Sequence, residues 1–539
     1  MKSVKYLLFV VVILLTGCGD FLEKEPLVTL SPSNFWKTES DLRLALNMLY
    51  KKMDRSYTLD NRSADTFAAA GNDISSGTYT PPNSDEVWVN CYKWIRISND
   101  FLENYKKAEL SDEMLDRYAG EARFFRAYYY YQLVTRFGAV PLITKTLDLD
   151  SPELQLSREN VGVIWNFIFE DLEFAIAHIP VKSQMKQDLG RITKGTAQSF
   201  LARAALYAGT HYKFHAEGHY EEYLEKARNA AKSVMDSGEY GLYPDFRNLF
   251  LFPGIDSEEH ILSYRFTEDL GEMNMRPRSV IYDFDCEPTK YMADNYLCKD
   301  GLPIGKSSYN VEYLPLGKEF ENRDPRMALT IWRPGDPFSG KPFVPSLANQ
   351  TRTGYMYKKA GVEEAFTYVP SAIYVDEILL RYAEVLLIYA EATYELEGRI
   401  SDEDLDRTVN LLRDRFKGDK NCLPHLTNAF VEQHDLDMRE EIRRERRAEL
   451  SGEALRYDDI IRWKIAETEL PRAILGAKFD PEAYPDLKPG KDILLDENGF
   501  ILVQKKEARS FDVNKNYLYP LPLREISLNP NLKQNPGWH

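Results

Sequence analysis

Cysteine is scarce in this chain, with five in 539 residues. That excludes a disulfide framework and a repeated zinc ribbon, both of which need many cysteines at short spacings. Basic charge is also in short supply. Against 84 Asp and Glu stand 68 Lys and Arg, for a formal charge of −16. No Lys/Arg block with interleaved aromatics occurs, so a phosphate backbone is repelled and nucleic acid is not an expected partner. Tryptophan is sparse at seven, whereas tyrosine, at 34, outnumbers phenylalanine at 27. Rings that end in a hydroxyl suit half-wet surfaces as well as helix seams. Signatures of acyl transfer and of zinc proteases are missing, with neither G-x-S-x-G nor H-E-x-x-H present. At 44% hydrophobic and 28% charged, the chain is neither wholly disordered nor a multi-span membrane protein. Its length suits roughly two to four ordinary domains or one large helical body.

One apolar run is present. Residues 1–5 carry two lysines, and residues 6–15 are unbroken apolar. The run is half a membrane span and is placed like a signal-peptide core. It ends in Leu15-Thr16-Gly17-Cys18, which resembles a bacterial lipobox, where small residues precede a cysteine that is diacylated and becomes the mature N-terminus. Two acyl chains anchor stably where one does not. The expectation is a chain that starts at Cys18 and is lipid-tethered outside the cytoplasm of a bacterium. An ordinary signal peptide with an incidental cysteine is the alternative. Cys286 and Cys298 lie close enough in sequence to pair in such a compartment, although buried thiols are the plainer reading.

Helical spacing follows a polar lead over 19–33. Ser40 and Asp41 cap a first helix, and residues 54–84, rich in Gly, Asn, Ser, Pro and Thr, read as surface loop. Further helices are expected over 88–107, 110–137 and 160–178. The one over 110–137 is apolar on nearly every side and therefore buried among others. Residues 193–207 and 220–235 look like one unit of a helical repeat. Ala197, Ala204, Ala205 and Ala208 would face Ala227, Ala230 and Ala231, which allows two helices to approach closely. The same texture recurs at 375–397 with 404–416, and at 438–450 with 456–463. Residues 245–374 are irregular, with β-type runs at 260–266 and 328–332. A long irregular stretch on a rigid frame is usually functional. The expected fold class is mainly α, a tetratricopeptide-like helical-repeat scaffold with a large irregular loop face and minor β.

Several blocks, taken in order, resemble the SusD/RagB family of outer-membrane nutrient-binding lipoproteins. They are Asp20-Phe21-Leu22-Glu23 behind the lipobox, GEARFFRA at 120–127 with FGAVPL at 137–142, and GRITKG at 190–195. Pro288-Thr289 then leads to Lys299-Asp300-Gly301, followed by NRDPR at 322–326, the charged block at 439–463 and the ending at 519–538. The resemblance covers nearly the whole mature chain. It implies a signal peptide at 1–17, an N-terminal helical region at 18–240 and a C-terminal region at 241–539, joined in one globule. It also implies a surface lipoprotein that docks on a SusC-like TonB-dependent outer-membrane barrel and hands it captured glycan, or in some branches peptide. Such proteins bind and do not catalyse, so no catalytic residue, cofactor or metal is expected. In physical terms, Glu441, Glu445 and Glu449 among the arginines of 439–447 read as an intramolecular salt-bridge lattice with i,i+4 pairs. The Pro-rich ending reads as a strap closing across helices.

A sugar site needs an exposed aromatic face with fixed polar groups around it. The loop at 73–88 supplies Asp73, Tyr79, Asn83 and Trp88. By regional resemblance, Tyr282, Asp283, Tyr309 and Trp332 form a second wall. For Trp88 and Trp332 core packing is the competing reading. Three other chemistries compete with glycan binding. His211, His215 and His219 have metal-like spacing, but Gly218 argues for a loop there. Asp294 and Asp300 lack EF-hand spacing. Asp283 with Asp285 or Glu287 is a nominal glycosidase pair.

Overall fold

The computed structural model describes residues 35–51, 53, 57–68, 71–216, 218–270, 273–274, 286–338, 340–347, 351–361 and 373–538. Cys18, Tyr282, Asp283 and Asp285 lie outside these residues.

The first helix, α1 (Glu39–Tyr50), starts earlier than its Ser-Asp signal suggests. Thr38 and Asp41 cap each other's backbone N–H groups, a reciprocal box that satisfies two orphan donors. α2 (Glu86–Asn104) is capped by Asp85 and α3 (Asp112–Phe137) by Ser111. From Tyr118 onward α3 is buried on nearly every side, as its apolar circumference predicts. α4 (Val161–His178) is capped by Asn160. α5 (Lys194–Phe214) outruns its expected end at Tyr207 and packs on α6 (Glu221–Met235). The alanines of both helices are buried. At Gly209 a Cβ would lie 2.8 Å from the Leu224 side chain, so the small-residue seam permits this close approach.

Each helix from α2 to α6 packs on its predecessor. The stack then continues across the irregular segment, with α6 against α7 (Tyr382–Glu397) and α7 against α8 (Met438–Glu449). The short α9 (Arg456–Arg462) returns to α5. This is a tetratricopeptide-like scaffold with minor β.

Three expected elements differ. Residues 377–381 are a strand and not the first turn of α7. β2 (His260–Tyr264) pairs antiparallel with this strand, β4 (Glu377–Arg381), and the tertiary pairing overrides a helical pattern. The expected helix at 404–416 is broken at Thr408 (φ −129, ψ −92) into Asp402–Asp406 and Val409–Asp414. In the run at 328–332 only Ile331 bridges a partner, Tyr357. Asp324 as cap and Pro325 at the first turn make Pro325–Thr330 a helix.

The charged block forms an ion lattice, but chiefly across elements. Within α8 the pairs are Arg443–Glu440 and Arg444–Glu441, at i,i+3. The buried pairs reach outward. Glu445 meets Arg326 at 2.6 Å and Arg413 at 3.0 Å. Glu449 meets Arg326, Arg381 and Arg415 at 2.8–3.1 Å. Arg381 also takes Glu259 at 2.8 Å and Glu453 at 2.7 Å. The ending is a strap, as expected. Tyr519 N–H donates to the Arg136 carbonyl (2.8 Å), Asn535 Nδ2 to the Phe137 carbonyl (3.0 Å) and Asn529 Nδ2 to the Leu156 carbonyl (2.8 Å). Cys286 and Cys298 are buried thiols and are not bridged to each other.

Candidate functional site

The loop face rests on a separate apolar cluster built from Met292, Tyr296, Phe320, Met327, Tyr355 and Tyr357. The N-terminal loop and the Pro-Thr block are brought together on it. β1 (Thr66–Phe67) pairs antiparallel with β3 (Glu287–Pro288). Thr289 donates its hydroxyl to the Ala64 carbonyl (2.8 Å) and its N–H to the Asp65 carbonyl (2.9 Å). Asp65 in turn binds Arg447 of α8 and Arg456 of α9, so the lattice fixes the loops to the scaffold.

The proposed sugar residues divide sharply. Trp88 is only 5% exposed, with its ring edge-on to Phe137 at 5.2 Å. Trp332 is 2% exposed, edge-on to Phe338 at 5.0 Å. Neither offers a face to a ligand, so both are corrected to core residues. Each indole buries more apolar area by packing on neighbouring rings than a surface position would allow. Tyr79 is half-buried against the strap, edge-on to Tyr519 at 5.7 Å and to Trp538 at 6.2 Å. Asp73 and Asn83 are exposed on the same loop. Asp73 accepts from the Thr78 hydroxyl, and the Asn83 carbonyl accepts from Arg524 N–H. Tyr309 is 39% exposed. It stands on a different loop, whose Gly301 lies against Pro424 and Phe430. The two intended walls therefore attach to different parts of the frame.

The sequence reading missed Tyr313. It is 53% exposed and lies four residues beyond Tyr309 on that loop. Its ring rests at 5.8 Å on Phe500, in the ribbon of β5 (Ile474–Lys478) and β6 (Phe500–Gln504). The Lys478 ammonium is 5.8 Å from the ring centre. The charges of Glu312, Asp496 and Asp294 push the phenol pKa upward, with Glu312 the largest influence. An exposed ring with the neighbouring Glu312 and the Lys478 ammonium beside it offers the flat face and some of the polar rim that a sugar requires. Two tyrosines in the Gly-, Pro- and Ser-rich run GLPIGKSSYNVEYLPLG were the available signal.

Under this loop lies Glu319. Tyr355 OH donates to its Oε2 (3.0 Å), while its buried Oε1 receives no hydrogen bond from a described residue. Burial pushes its carboxyl up to about 7, with the Arg323 charge opposing. The folded state thus holds this proton after the unfolded chain has lost it, so the contribution is fully present below about pH 4.5 and is lost as pH rises through 7. Glu319→Gln should raise the urea-measured stability by about 2–3 kcal/mol at pH 8 and leave it unchanged at pH 4.

The competing chemistries have structural explanations. Glu287 is buried, and its Oε2 accepts from Thr351 Oγ1, Arg352 N and Thr353 N at 2.8–3.0 Å, so it is a loop clamp. His211 is helical, His215 is the residue that ends α5, and His219 lies in the loop beyond, where Gly218 placed it. α5 carries His211 to its last turn, where it stacks on His215 at 4.0 Å. His215 Nε2 donates to the Ile461 carbonyl at 2.9 Å. Asp294 binds Lys290 at 2.7 Å, and Asp300 accepts from the Ser307 hydroxyl at 2.8 Å.

Comparison with known proteins bears on these loops as a set. Residues 259–538 match the model of the SusD family, and residues 20–206 match one described as "Starch-binding associating with outer membrane". The chain is 26% identical to SusD-like protein P2 of Formosa agariphila over 575 aligned positions, which cover all of both chains. A crystal structure of a SusD-like carbohydrate binding protein from Bacteroides fragilis superposes with a TM-score of 0.79 at 26% identity, covering 93% of this chain and 100% of that one. A laminarin binding SusD-like protein shares the fold with a TM-score of 0.60 at 20% identity, over 93% of this chain and 100% of that one.

Proposed function

This chain belongs to the SusD family, and from that premise we propose that it is a surface lipoprotein that captures oligo- or polysaccharide and delivers it to a SusC-like TonB-dependent barrel for import. The observation that carries the reading is the exposed pair Tyr309 and Tyr313 on one loop, with the adjacent Glu312 and the Lys478 ammonium beside Tyr313. Tyrosine faces stack on the C–H faces of sugar rings, and the charged groups bond the hydroxyls. Asp73 and Asn83, exposed beside the strap, would extend contact along a longer chain, and Tyr79 would shape its edge. Tyr282 is assigned to the same ligand by resemblance alone.

Capture proceeds by shape and stacking, with no covalent step. Two acyl chains on Cys18 would hold the protein in the outer membrane. The family description that associates residues 20–206 with that membrane supports this placement. Tethering beside a barrel raises the effective concentration of glycan at the import mouth. Deletion of this protein in its bacterium should slow growth on the cognate polysaccharide while growth on the free monosaccharide stays normal. Unchanged uptake of the polysaccharide would count against the proposal.

A further inference from the structure

Beyond Tyr519, on which Tyr79 packs, and apart from the loop of Tyr309 and Tyr313, a cavity of about 170 Å³ lies between α3, α5, β4 and α9. One water needs only ~10–15 Å³, and drug-sized ligand sites begin near ~300 Å³. The space therefore suits a single small ring. Phe124, Phe200 and Leu262 supply apolar wall, and Tyr128, Tyr131 and Tyr457 add aromatic surface.

Most charged groups around the cavity already have partners. Arg203 is held by Glu384 through two bonds of 2.6 and 2.7 Å. Arg136 is held by Asp85 at 2.6 Å, and Glu453 by Arg381 and Lys359. Arg62 donates to Tyr519 OH at 3.3 Å and lies over the Tyr457 ring at 4.4 Å. Two groups remain. The Asp458 carboxylate accepts no hydrogen bond from a described residue, although burial pushes its carboxyl pKa up against the pull of the Arg62 charge. The Tyr131 hydroxyl finds no hydrogen-bond partner among the described residues either, and Tyr131 is only 8% exposed. Two polar groups facing the cavity without a partner among the described residues are satisfied best by an occupant that supplies both donors and acceptors.

Charge narrows the choice of occupant. A cation would meet the guanidiniums of Arg62, Arg136 and Arg203, and an anion would meet Asp458, Glu377 and Glu453. We propose that the cavity is a second binding site, separate from the loop of Tyr309 and Tyr313, for a neutral polyol the size of one sugar ring, with Asp458 and Tyr131 hydrogen-bonded to its hydroxyls. The aromatic walls take the ring's C–H faces.

The test uses the full chain purified in detergent. Saturation-transfer NMR and calorimetry are run with glucose, galactose, xylose and glycerol as probes, on the wild type and on Asp458→Asn, Tyr131→Phe and Tyr313→Ala. At least one probe should bind saturably. Its Kd should weaken about tenfold or more in Tyr131→Phe, which removes the hydroxyl, and in Asp458→Asn, which replaces a charged acceptor by a neutral amide, and stay unchanged in Tyr313→Ala. Both cavity variants keep side-chain size, and a melting curve establishes that each is folded. Should Asp458→Asn not fold, Tyr131→Phe decides alone. Absence of saturable binding by the wild type, as a cavity holding only water would give, overturns the proposal. So does equal binding by Tyr131→Phe. Because Tyr313→Ala reports on the loop face separately, failure of this site leaves the glycan-capture reading standing.

Discussion

Arg381→Ala should destabilise the protein by about 3–5 kcal/mol, the scale of breaking a buried charge network from one side. The Arg381 side chain is almost fully buried. Its Nη1 donates to Glu259 and Glu449 at 2.8 Å, its Nη2 to the Glu449 carbonyl (2.8 Å) and Glu453 (2.7 Å), and its Nε to Glu453 (2.8 Å). Removing it leaves three buried carboxylates short of donors, and Lys359, Arg326 and Arg415 only partly compensate. The pH dependence separates this loss from a simple packing defect. Burial raises the Glu453 carboxyl, but the Arg381 and Lys359 charges prevail and hold it down at about 2. A carboxyl depressed on folding adds stability above its unfolded value near 4.5, and that stability is lost as pH falls through 2. The gap between wild type and Arg381→Ala in urea midpoints should therefore be widest above pH 4.5 and narrow toward pH 2. A gap independent of pH would mean that the arginine acts through packing alone.

The double variant Tyr309→Ala/Tyr313→Ala should lose about 2 kcal/mol or more of glycan affinity, on the order of thirtyfold in Kd, because truncated aromatic anchors typically cost that much at an interface. Stability should hardly move, since both rings are substantially exposed. Trp88→Ala and Trp332→Ala should do the reverse. Each removes a buried indole and costs about 3–5 kcal/mol of folding stability, with lost binding only as a consequence of unfolding. The contrast separates the residues that hold the scaffold from those proposed to meet the ligand.

The scaffold was legible because its signals are local. The circumference of α3 and the alanine seams of α5 and α6 are properties of neighbouring residues. β4 was illegible because EILLR carries a helix-like pattern, and only its pairing with β2 and the recruitment of Arg381 by Glu259 and Glu449 hold it extended. The acidic half of the lattice was visible in α8. Its partners Arg326, Arg413 and Arg415 come from distant segments that no short spacing connects. The site was the least legible part. Trp88 and Trp332 have the composition of a sugar platform, but burial decides their role, and burial is set by Phe137, Phe338 and Phe343. Tyr313 gains its meaning from Phe500 and Lys478, more than 160 residues away.

Capture without catalysis is tested most directly by running the lipid-free chain, residues 19–539, through native gels that contain members of a polysaccharide panel, and assaying the same samples for released reducing sugar. The account predicts retardation by at least one polysaccharide, no sugar release, and loss of retardation in Tyr309→Ala/Tyr313→Ala. Release of reducing sugar, or retardation undiminished in that double variant, would contradict it.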